Sequence, residues 1–379
     1  VPLRRKVEPP IDAEATVPPA LKIAAAYSWR ILLVLGVIGV LIFLVIQFRY
    51  IVVPFLVAIL LGALLVPFVT LLRRHRWPKW LAIAVAMLGT LGIVTGLVFL
   101  VVAQVRAGYP SLQEKTIAAY EDLVVWLAGP PFDLSGDDLN AFIAQIIESI
   151  QRDSSAVWSG VLSVGSTAGH VLAGILLALF ATLFILIDGR GIWNWVVRLF
   201  PKRARPAVSG SGEAGWVTLT TFVKVQVFVA FVDAVGIGLG AWILGLFYGG
   251  FPLVIPIAVA VFLGAFIPVV GALLTGTLAV FVALVYLGPI PAIIMLGIVL
   301  LVQQVEGHVL QPLVLGTAVK VHPLAVVFAV AAGGFTAGIA GALFAVPLVA
   351  VVNVMVKYLA SGAWRTNPHP TAKDVLTDG

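Results

Sequence analysis

The stretch ILLVLGVIGVLIFLVIQF (Ile31–Phe48), then Arg49 and Tyr50, then IVVPFLVAILLGALLVPFVTLL (Ile51–Leu72) decides the fold class. Each run is apolar around its whole circumference and close to the roughly 20 residues that carry a helix across a hydrocarbon core. A single helix through both would measure about 63 Å, twice that core, so the chain is expected to turn back around Arg49. Inside a bilayer the backbone must satisfy its own hydrogen bonds, which a helix does within one segment. The predicted class is therefore an all-α polytopic membrane protein. Composition agrees: 61% of the 379 residues are hydrophobic and 11% charged, against roughly a quarter charged in soluble domains.

Working outward, the polar and basic residues 1–30 lack the short apolar core and cleavage site of a signal peptide. They read as a cytoplasmic tail, and Ile31–Phe48 as a retained anchor. Further spans are predicted from about Trp80 to Val102, Ser163 to Ile187, Thr220 to Phe247 and Ile290 to Val309. The net charge of +6 falls in short loops, Arg73 to Lys79 and Arg190 to Arg205, rather than on a nucleic-acid-binding face. Gln104 to Ser155 holds eight carboxylates against three basic residues. Basic loops stay inside, which puts both termini in the cytoplasm of a bacterium and the acidic segment outside its inner membrane. The organisation is then tail 1–30, spans 31–103, extracytoplasmic insert 104–156, span 157–187, cytoplasmic loop 188–214, two span-plus-hairpin units 215–287 and 288–356, and tail 357–379.

The insert has helical spacing at Leu112, Thr116, Ala119, Tyr120, Leu123 and Leu127, and again from Leu139 to Ile150. It reads either as a helical pair packing on the membrane domain or as a contact for a homo-oligomer.

The carboxyl-terminal half departs from simple spans. Pro252 to Leu287 has no charge but is interrupted at Pro268-Val269-Val270-Gly271; Leu324 to Val356 is interrupted by Gly333, Gly334, Gly338 and Gly341. Halves of about 15 residues are short for upright spans, so two re-entrant hairpins are expected beside six full spans, or eight transmembrane helices by another count. Gly264 to Leu274 aligns with Gly334 to Phe344, glycines seven apart in each. Phe266, Pro268, Gly271, Gly334, Gly338 and Gly341 are the tip residues. If each hairpin follows one span, the halves form an inverted repeat, the architecture in which secondary transporters bind substrate between broken helices.

Buried polar residues mark the candidate pathway. From Gly215 to Val356 the carboxylates are Asp233 and Glu306, the lysines are Lys224 and Lys320, and arginine is absent. A charge at mid-bilayer costs at least about 2.5–3.5 kcal/mol, so such groups face a cavity or a partner. Gln226 and Asp233, seven apart, lie within about 20° around a helix, with Gly236 and Gly240 on the same side. Lys224 points elsewhere, toward the interface. Gln303, Gln304, Glu306, His308 and Gln311 form the second polar cluster, with Gln304, His308 and Gln311 on one face and Glu306 nearer Gln303. Glu306 reads either as a pathway residue or as a solvated acid paired with Lys320; Asp233 as a pathway residue or as an acid bonded to a neighbouring helix. His322 before Pro323 reads as a turn residue.

Phe222-Val223-Lys224-Val225-Gln226, Phe266 to Gly271, Gln304-Val305-Glu306, Gln311-Pro312 to Gly316 and Val321-His322-Pro323-Leu324 resemble segments of the autoinducer-2 exporter family, in its actinobacterial form. The resemblance implies a transporter without catalytic residues or cofactor, associated in the family with export of the furanosyl signal autoinducer-2 or with sodium(lithium)/proton antiport. Thr317 stands where members often carry a basic residue, which puts an anion contact there in doubt. The residues themselves add that no P-loop, Gly-x-Ser-x-Gly or His-Glu-x-x-His motif and no cysteine is present, so neither an enzyme nor a metal site is expected. The expected partners are a small solute or ion and the lipid bilayer; a passive oligomeric pore is the alternative.

Overall fold

The structure, a computed structural model, describes residues 18–128, 164–267, 270–308, 323–367, 369–371 and 374. Its elements are helices: α1 (Pro19–Gln47), α2 (Arg49–Arg74), α3 (Lys79–Ala128), α4 (Val164–Arg198), α5 (Arg205–Phe247), α6 (Val254–Gly264), α7 (Val270–Leu287), α8 (Pro289–Val305) and α9 (Pro323–Ser361). Eight helical stretches among the described residues are long and apolar enough to cross a membrane. The all-α polytopic class holds. Only Phe48 separates α1 from α2.

The chain divides into two units, Val1–Val52 and Val53–Gly379. In the first, α1 is apolar on all sides, with Leu32, Leu35 and Phe43 exposed, as a lipid-facing helix is. In the second, small residues build the contacts and large ones face outward. On α5, Ala234, Ile237, Ala241 and Leu244 are buried while Phe231, Val235, Leu239, Trp242 and Leu246 are exposed. An exposed apolar stripe of that length is a liability in water and ordinary in lipid.

Helix ends differ from the sequence expectation in one consistent way. α3 runs on through the first amphipathic segment of the insert as a single helix of 50 residues. The Leu139–Ile150 segment lies outside the described residues. Residues 188–214, expected as a loop, are helical except at 199–204, after a kink at Asp188 (φ −147°, ψ 46°). α5 begins at Arg205 and spans 43 residues, about 65 Å and so longer than a hydrocarbon core. Hydropathy locates the part of a helix that suits lipid; it does not mark where the hydrogen-bonded helix stops.

Both expected breaks are fold-back turns. α6 and α7 are joined by residues 265–269, and a side chain on Gly271 would collide with the Gly264 carbonyl oxygen. Pro268 and Val269 lie outside the described residues. Within α9, Ala337 and Gly338 leave helical geometry, Gly338 at φ 63°, which favours glycine. Gly333 and Gly341 touch backbone to backbone, whereas a continuous helix would hold them about 12 Å apart. Both hairpins are thus closed by a glycine pair. The second pair starts at Gly333; Gly334, aligned with Gly264 in the sequence, faces open space.

Gly271→Ala and Gly341→Ala should each destabilise the detergent-solubilised protein by about 1–3 kcal/mol, as overpacking does. Gly297→Ala, with open space around its Cα, should leave the thermal midpoint unchanged.

Candidate functional site

A glycine-lined seam between α5 and α8 positions the two membrane carboxylates. A methyl group on Gly236 would lie 3.0 Å from Val302 Cγ2, and one on Gly240 would collide with Ile298. The absence of side chains there lets the backbones approach closely. Residue numbers fall along α5 as they rise along α8, so the two helices are antiparallel, as the inverted-repeat reading requires. The next step of the same register pairs Asp233, one turn before Gly236, with Glu306, one turn after Val302.

Asp233 is the one ionisable side chain among the buried polar residues described, 3% exposed. The half-buried Glu306 is its carboxyl neighbour across the seam. A carboxylate has no hydrogen to donate, so a bond between two carboxyl groups contains one proton. Asp233 Oδ1 is buried and meets no hydrogen-bond partner among the described residues. Beyond Val305 the helix widens into a π-helical turn at 306–308, a distortion frequent at functional sites because it re-aims side chains.

The first hairpin joins this site through Gln226. Its Nε2 donates to the Ala265 carbonyl at 2.7 Å, one of the acceptors that the end of α6 leaves without an intrahelical partner. Phe266 stacks edge-on against Phe262, ring centroids 5.7 Å apart. Ile267 at the same tip packs against Val330, Ala342 and Ala345 in the arms of the second hairpin. One hairpin therefore touches both the Asp233 helix and the other hairpin.

The remaining candidates divide. Gln303 is half-buried beside Glu306, while Gln304, His308 and Lys224 are exposed. His308 Nδ1 lies 3.2 Å from the Gln304 carbonyl of its own helix. Gly338 and Gly334 lie in the turn of the second hairpin. Gln311, Lys320 and His322 lie outside the described residues. The Ala265 carbonyl and Ile267 were not singled out by sequence reasoning. An amide at Gln226 with no polar neighbour in its own helix was the available signal for the first; Ile267 carried none.

The sequence model of the AI-2E family transporter matches residues 31–361. The chain belongs to the AI-2E transporter family. It is 38% identical over 365 residues to a protein of Mycobacterium tuberculosis (strain CDC 1551 / Oshkosh) named "Putative transport protein MT0215", covering 96% of this chain and 97% of that one. It is 24% identical over 334 residues to the Escherichia coli (strain K12) AI-2 transport protein TqsA, covering 86% and 92%. A Bacillus subtilis (strain 168) relative, "Putative transport protein YrrI", is 30% identical over 220 residues, covering 55% and 59%. The chain is thus a multi-pass membrane protein of a transporter family.

Because the AI-2E chain has no cysteine, Asp233→Cys with Glu306→Cys gives an unambiguous pair. A short bis-methanethiosulfonate linker should bridge it in membranes, read as linked peptides by mass spectrometry. Asp233→Cys with His308→Cys should stay unlinked.

Proposed function

We propose that this AI-2E family member is an ion-coupled secondary transporter of the bacterial inner membrane, in which the Asp233–Glu306 pair carries the coupling proton or cation. The substrate is a small polar solute of the autoinducer-2 kind or a monovalent cation exchanged for protons. The observation that carries this reading is the meeting of two acids in an otherwise apolar seam, an arrangement that favours holding one proton between them. Displacing it leaves two negative charges at one place, which a cation or a change of conformation must compensate. Binding and release of that proton is therefore tied to helix movement.

Several features support the same reading. Gln226 links α5 to the tip of the first hairpin, so a shift of α5 at the acid pair reaches that tip. Ile267 extends the contact to the second hairpin. Both hairpins act as re-entrant gates in this account, with termini on the cytoplasmic side following the basic-loop charge. The name of TqsA supplies the solute class. A passive pore would leave the buried pair without a role.

In proteoliposomes with an imposed pH gradient, Asp233→Asn and Glu306→Gln should each lower coupled flux at least about tenfold, the scale of losing one buried charge interaction of 1.4 kcal/mol or more. The variants should retain the wild-type thermal midpoint within a few degrees. Undiminished coupled flux in both would remove the pair from the mechanism.

A further inference from the structure

The helix that follows the Asp188 kink is a capped unit of its own. Asp188 Oδ1 accepts from the Gly191 N–H at 3.1 Å, an N-cap for residues 189–198. At the other end the Arg205 guanidinium donates to the carbonyls of Arg198 (2.9 Å) and Phe200 (3.0 Å), satisfying acceptors that a helix end leaves free. Lys79, from the α2–α3 turn, donates to the Ile187 carbonyl just before the kink. The kink, both caps and the neighbouring basic turn are therefore held together by named bonds.

Around its axis this helix has three sectors. Trp193 and Val197 face the protein, Trp193 pressing on Gly212 of α5. Ile192, Trp195 and Leu199 form a second face; Trp195 is 62% and Leu199 67% exposed. Arg190, Asn194 and Arg198 form a third, also exposed. A helix interior to a membrane bundle has no use for the third face, and one in water has none for the second. The pattern is that of a helix lying in the plane of a bilayer interface.

Charge identifies the lipid. Lys202 and Arg203 extend the cationic face, and Arg73, Arg74 and Arg76 stand exposed on the turn tied down by Lys79. Against them, residues 157–212 contain one carboxylate, Asp188, already engaged as the cap, and residues 49–113 contain none. We propose that residues 189–203 form, with the α2–α3 turn, a docking surface for anionic phospholipid: headgroup phosphates on the arginines, acyl chains along Ile192, Trp195 and Leu199. This goes beyond the tendency of basic loops to face the cytoplasm. That tendency sets orientation, whereas a three-sector helix capped at both ends has a defined lipid-binding face.

The test is the full chain reconstituted in phosphatidylcholine vesicles, with spin-labelled phosphatidylglycerol or phosphatidylcholine as the probe lipid. Wild-type protein should immobilise phosphatidylglycerol several-fold in preference to phosphatidylcholine. Arg190→Gln and Arg198→Gln should each lower the preference at least about twofold, and the two together should bring it close to one. Arg190→Lys with Arg198→Lys should keep most of it, and Arg365→Gln, an exposed cation elsewhere, all of it. If the glutamine variants do not fold, high salt should erase the preference in the wild type. An equal preference for both lipids in wild-type protein, or an unchanged one in the glutamine variants or at high salt, overturns the proposal. Loss of the preference to soluble glycerol phosphate at modest concentration would also overturn it, by pointing to a phosphate pocket rather than a lipid surface. Failure of Asp233 or Glu306 variants to affect flux would leave this result untouched.

Discussion

Asp233 and Glu306 can meet inside an apolar bundle only if the two helices carrying them approach closely and one proton stays between the acids. The first condition is met in named residues, and the second follows from the electrostatics of the pair. Gly236 and Gly240 remove the side chains that would hold α5 off Val302 and Ile298, and two like charges at one place in an apolar seam favour the state with one proton held between them. A mid-membrane charge is costly. A pair that keeps one proton halves that burden without a basic partner. The seam also sets the register of this conformation, since a Cβ at Gly236 or Gly240 would meet Val302 or Ile298. From this contact the antiparallel course of α5 and α8 follows, and with it the relation of the two helix–hairpin units.

The hairpins depend on the same device at their own scale. Each reverses where a glycine pair brings two backbones into contact, Gly264 with Gly271 and Gly333 with Gly341. Their tips are treated differently. The first is fastened to α5 by Gln226 and to the second by Ile267. The second carries Phe335 and Ile339 outward, both largely exposed. In the proposed transport cycle, movement at the acid pair reaches the first hairpin through Gln226 and the second through Ile267. The physical requirement is that α5 carries both Gln226 and Asp233 on one face, two turns apart.

Much of this was legible in the sequence because it follows from periodicity and scarcity. The helical repeat put Gln226, Asp233, Gly236 and Gly240 on one side of α5, and the seam with α8 lies there. Scarcity singled out Asp233 and Glu306 as the acids among 142 residues from Gly215 to Val356. Helix-breaking glycine within charge-free runs located both reversals. Pairing was not legible. Glu306 could equally have met Lys320 or solvent, because the partner of a side chain on another helix depends on tertiary register. For the same reason the alignment selected Gly334, whereas backbone contact uses Gly333. The end of α4 and the start of α5 were read as loop because a helix continues beyond the lipid-compatible segment wherever caps and packing support it, as Asp188 and Arg205 do.

Infrared difference spectroscopy on the reconstituted protein tests the shared proton most directly. A step in pH, or addition of transported substrate, should change a protonated-carboxyl band, and that band should be missing from both Asp233→Asn and Glu306→Gln. A spectrum without such a band at any pH, or one that persists unchanged in both variants, would contradict the account.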